Sequence, residues 1–91
     1  MKFVLNKQYG AFSLSDAAQA MLQDGISYSE YSMRSDPDLV NVVETLGDGA
    51  SGRHALLSIV EIPDEATDHF IEAEDGFEMM AYVVSGKIYW A

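Results

Sequence analysis

The groups best suited to chemistry fall into three unequal sets. Fifteen acids stand against five bases, giving a formal net charge of −10. No Lys or Arg lies between Arg53 and Lys87, whereas Glu61, Asp64, Glu65, Asp68, Glu72, Glu74, Asp75 and Glu78 crowd that interval. Phosphate contacts need clustered cations, so direct nucleic-acid binding is disfavoured; the run reads either as a solvated, solubilising face or as a surface that meets a basic partner. Within this segment, Asp68, Glu72, Glu74, Asp75 and Glu78 sit around one predicted hairpin and form the candidate protein-binding set. The second set is cationic and aromatic: Lys7, Tyr9, Arg34 and Arg53 supply charges and a ring suited to an anionic nucleotide signal. The third set is the glycine run Gly47-Asp48-Gly49-Ala50-Ser51-Gly52, which matches G-x-G-x-x-G in spelling.

That glycine run fails as a dinucleotide fingerprint. The fingerprint needs a strand before it and a helix after it, so that phosphate meets a helix N-terminus. Here a helix precedes and a strand follows, and phosphate would face the negative end of the helix dipole. A small anion nest ending at Arg53 is the weaker use of the run; a connection between elements is the simpler one. His54 and His69 are the only histidines, and neither belongs to a metal-ligand spacing, so no metal and no cofactor are expected. No G-x-S-x-G elbow is present, and there is no cysteine for a thiol nucleophile or a disulfide. The expectation is a protein without enzymatic activity.

The elements that must position these groups follow from spacing. Phe3-Val4-Leu5 reads as a short strand. Ser13 or Ser15 caps a helix that carries Ala17, Ala18, Met21 and Leu22 and stops at Asp24-Gly25. Residues 26–33 read as either a strand or an ordered loop. Asp36 and Pro37 open a second helix, since proline suits the first helical position. Its apolar residues Leu39, Val42, Val43 and Leu46 recur at i, i+3, i+4 and i+7, and Gly47 ends it. Ala55–Ile62 reads as a strand ended by Pro63. Asp68–Ala73 and Phe77–Val84 flank Asp75-Gly76, a strong hairpin signal, and Ser85-Gly86 returns Lys87–Trp90 as a last strand. The whole predicts one α+β domain over residues 1–91, an antiparallel meander of three to five strands with two helices packed on one face. No apolar run approaches a membrane span, which places the expected protein in the cytoplasm without a membrane partner.

The order Asn6-Lys7-x-Tyr9-Gly10-x-Phe12-x-Leu14-Ser15, then Arg34-x-Asp36-Pro37-x-Leu39-Val40, then Ile59-Val60-Glu61-Ile62-Pro63-Asp64 and Glu74-Asp75-Gly76-x-Glu78, resembles a group of small bacteriophage- and prophage-encoded proteins. The resemblance implies work in an infected bacterial cytoplasm, commonly by binding. The leading expectation is a phage accessory protein that binds and inhibits a host protein, such as a defence factor, through its acidic surface. A binder of an anionic small molecule and a minor assembly component are the alternatives. Exposed edge strands leave a homodimer open.

Overall fold

A computed structural model describes residues 1–91 as an α+β arrangement of five antiparallel strands in two sheets with two α-helices. The order is β1 (Lys2–Asn6), α1 (Asp16–Ala20), α2 (Pro37–Leu46), β2 (Leu57–Glu61), β3 (Asp68–Glu74), β4 (Phe77–Val84) and β5 (Lys87–Trp90). β1 pairs with β2, and β3, β4 and β5 form a separate three-stranded sheet.

Local chemistry sets the element ends. Asp36 caps α2 by accepting hydrogen bonds from the N–H groups of Asp38 and Leu39, and Pro37 occupies the first turn. Helix α1 is a single short turn, capped by Ser15, whose side chain accepts from the Ala18 N–H. It ends four residues earlier than its stop signal at Asp24-Gly25 suggests. With only Ala18 buried along its length, no apolar stripe extends it. Residues 26–33 form turns and a 3₁₀ turn at Tyr31–Met33. Both β3–β4 and β4–β5 connect through two residues of positive φ, Asp75-Gly76 and Ser85-Gly86, as type I′ hairpin turns require.

β1 is buried on both faces. Val4, with Leu57 and Ile59 of β2, packs with Leu39, Val40, Val42 and Val43 of α2. Phe3 and Leu5 look the other way, onto Ile62 and Met80, with Ile71 and Tyr82 at the margin. The layers are therefore α2, then β1–β2, then β3–β4–β5. Alternation along β3–β5 directs Ile71, Glu78, Met80 and Tyr82 inward. Asp68, Phe70, Glu72, Glu74, Phe77, Met79, Val83, Ile88 and Trp90 take the opposite face, which no element covers.

The division into two sheets has a specific cause. The outer edge of β1, opposite β2, is met by Glu78 and Arg34 rather than by another strand. The Asn6 N–H donates to Glu78 Oε1 at 2.7 Å, and the Val4 carbonyl accepts from Arg34 Nη1 at 3.2 Å. The Val4 N–H donates to the Arg34 carbonyl at 2.8 Å. Arg34 and Glu78 thus satisfy the groups that would otherwise recruit a strand.

Candidate functional site

The residues proposed from the sequence separate into an interior cluster and a surface. Glu78 is a correction: it is 4% exposed and does not belong to the acidic surface. Arg34 is 1% exposed. Their side chains form a bidentate ion pair, with Nη2–Oε2 at 2.8 Å and Nη1 on Oε1. The guanidinium also donates to the Ser29 carbonyl through Nε at 3.0 Å and Nη2 at 2.8 Å. The Phe12 ring lies over it at 4.0 Å, with Tyr31 at 5.3 Å. Every donor that could have met a ligand phosphate is already engaged.

Asn6 and Lys7 complete the interior cluster. The fully buried Asn6 amide donates to the carbonyls of Gln8, Gly10 and Gly76 at 3.0, 3.2 and 2.9 Å. Its oxygen accepts the Leu56 N–H at 2.9 Å. One side chain thus closes the loop that follows β1 and ties it to the β3–β4 turn. The Lys7 ammonium donates to the carbonyls of Glu78 at 2.7 Å and Ala91 at 3.2 Å.

Burial lowers the Lys7 pKa from its ordinary 10.5, with the nearby Glu78 charge opposing the shift. Lys2 is shifted upward instead, by its hydrogen bond and charge interaction with Glu44. Lys7 should therefore titrate below Lys2 when the lysine Cε resonances are followed by NMR. Folded Lys7 binds fewer protons than the unfolded chain just below pH 10.5, so its contribution to stability rises with pH through that interval. The same dependence in a Lys7→Met variant would contradict this origin.

Of the residues proposed for an anionic ligand, Arg34 is therefore buried and Lys7 tied. Arg53 is exposed, and its carbonyl accepts from the Ser13 hydroxyl at 3.0 Å. Tyr9 is 67% exposed. The larger cavity, about 330 Å³, lies between Phe12–Leu14 and the 22–29 loop and contains none of these four residues. The glycine run forms a 3₁₀ turn at Gly47–Ala50 before pairing Ser51 with Leu14. His69 packs against the Phe3 ring at 5.0 Å.

The acidic candidates Asp68, Glu72, Glu74 and Asp75 are exposed. Asp68, Glu72 and Glu74 share the uncovered face of β3–β4–β5 with a row of apolar side chains. Phe70 is 42%, Met79 38%, Ile88 59% and Trp90 49% exposed. Phe70 meets Trp90 edge-on at 6.3 Å. Tyr9, delivered by the loop that Asn6 closes, reaches Phe77 at 5.5 Å. A recess of about 140 Å³ lies here, walled by Tyr9, Phe77 and Trp90, with Met79 beside them and Glu72 and Glu74 at its rim. Sequence reasoning named the acids and Tyr9 separately. The apolar alternation Phe70, Met79, Phe77 and Trp90 across paired strands was the signal that joins them.

No protein-family model, curated protein or solved structure matches this chain.

Proposed function

We propose that this protein is a non-enzymatic binding protein, of the kind encoded by bacteriophages, that inhibits a bacterial host protein by docking on a basic surface. The observation that supports this reading is the uncovered face of β3–β4–β5. It joins exposed Phe70, Met79, Ile88 and Trp90 to the carboxylates of Asp68, Glu72 and Glu74, and none of the residues on that face is Lys or Arg. An apolar centre with a rim of one charge sign supplies contact energy and orientation together. A second copy of the same chain would set these carboxylates against their own counterparts, which opposes self-docking.

Photo-cross-linking in bacterial lysate tests the reading. A cross-linker at Ile88 should capture a host protein whose own activity falls when this protein is added, whereas one at Gln23, outside the face, should not. Capture should weaken with added salt and fall at least about tenfold in Asp68→Lys/Glu72→Lys, because rim charge reversal opposes encounter and contact. Capture equal from both positions, or unaltered by charge reversal, would exclude this face.

A further inference from the structure

We propose that the recess between Tyr9, Phe77 and Trp90 is an anchor pocket for the guanidinium of a single arginine side chain presented by a protein partner. The inference deepens the docking reading above and rests on it: that reading assigns the face, and this one assigns the chemistry that its pocket selects.

Size comes first. Pockets that enclose whole small-molecule ligands run to roughly 300 Å³ and above. A recess of about 140 Å³ takes the end of one side chain. The chemistry of the wall then chooses the side chain. Three aromatic residues, Tyr9, Phe77 and Trp90, offer negative π-faces. Glu72 and Glu74 add two carboxylates on the same side of β3, about 7 Å apart along the strand. An anion is repelled by both carboxylates and by the ring faces, and an uncharged apolar side chain leaves both carboxylates unused. A cation satisfies rings and acids together.

Arginine fits better than lysine for a geometric reason. A planar guanidinium stacks on an aromatic ring while its edge presents donors toward two separated acceptors. A compact ammonium on the same floor reaches one carboxylate at a time. The interior of this protein contains the same combination: the Arg34 guanidinium lies 4.0 Å from the Phe12 ring while forking onto Glu78. The nearest internal cation, Lys7, lies 5.5 Å from the Phe77 ring, and its donors are committed to the Glu78 and Ala91 carbonyls. It is held at the pocket's margin and does not supply the missing charge.

Trp90 is the only tryptophan and lines the pocket, so it reports occupancy without a label. The probe is a capped Gly-Arg-Gly peptide, compared with the citrulline peptide of the same shape and the lysine peptide. The arginine peptide should shift the Trp90 indole N–H resonance saturably, the lysine peptide more weakly, and the citrulline peptide not at all. Glu72→Gln/Glu74→Gln should weaken the arginine response at least about tenfold, since it removes the charge from both acceptors. Tyr9→Ala should weaken it severalfold. Tyr9, Glu72 and Glu74 are exposed, so these variants should keep the fold, which their unchanged far-UV circular dichroism checks. An equal response to citrulline, or an arginine response indifferent to all three substitutions, would overturn the assignment. So would a Trp90 shift that appears on raising the protein concentration alone, because it would put a second copy on this face. Failure of the peptide test alongside successful cross-linking from Ile88 would remove the arginine pocket and leave the docking face. Failure of both would remove the face itself.

Discussion

Removing either member of the Arg34–Glu78 pair should cost about 3–5 kcal/mol, the scale on which a buried charge is left without its partner. A 91-residue chain has a total stability on the order of 5–14 kcal/mol, so Glu78→Ala or Arg34→Ala consumes a large share of it. The Tm should fall by about 15 °C or more. The ion pair alone does not explain this expectation, because buried pairs elsewhere are often replaceable by apolar residues at little cost. Here the two side chains also serve the backbone: Glu78 Oε1 accepts the Asn6 N–H, and Arg34 Nη1 donates to the Val4 carbonyl. The apolar double variant Arg34→Met/Glu78→Leu leaves those two groups buried without these partners, at about 1–3 kcal/mol each. It should therefore remain destabilised by several kcal/mol in urea denaturation. A double variant as stable as the wild type would show that the pair contributes nothing beyond its own charges.

That pair also marks where sequence reading stops. Helix α2 was legible because three independent signals agree: Asp36-Pro37 at its start, the Leu39–Leu46 periodicity and Gly47 at its end. The two hairpin turns were legible because Asp75-Gly76 and Ser85-Gly86 have few other uses. Glu78 was misread as surface because carboxylates in an acidic hairpin are ordinarily solvated. Its parity with Met80 and Tyr82 on β4 was the available hint, since those positions face the core. Arg34 offers no such hint. A lone cation beside a turn looks free until the Glu78 carboxylate, 44 positions away, meets it. The proposed docking face was half legible for the same reason: the acids adjoin in sequence, but Tyr9 joins Trp90 only through the fold. The motif Asn6–Gly10 concentrates unusual residues because it must close a loop against a distant turn, and Tyr9 rides on that closure.

Gly76→Ala tests the closure and should be the costliest single methyl in the protein, while Gly86→Ala provides its control. Both glycines occupy the second position of a two-residue hairpin turn at positive φ, +87° and +77°. Alanine loses about 1–2 kcal/mol from left-handed backbone at either site. Beyond that common cost the two differ sharply. A Cβ on Gly86 meets nothing within 4 Å, whereas a Cβ on Gly76 falls 1.3 Å from the Gly10 carbonyl oxygen. That atom is backbone and is held by the Asn6 amide, while the Gly10 N–H donates to the Asp75 carbonyl at 2.8 Å. The loop must lift from the hairpin, breaking that hydrogen bond and the Asn6 bonds that span the gap. The loss should exceed about 3 kcal/mol, against about 1–2 for Gly86→Ala. Lifting the loop also carries Tyr9 away from Phe77, so the arginine-peptide response at Trp90 should weaken severalfold in Gly76→Ala, as in Tyr9→Ala, and persist unchanged in Gly86→Ala. Equal losses of stability would show that turn strain alone acts at both sites. An intact Trp90 response in a folded Gly76→Ala variant would separate the pocket from the closure and leave the loop a purely structural role.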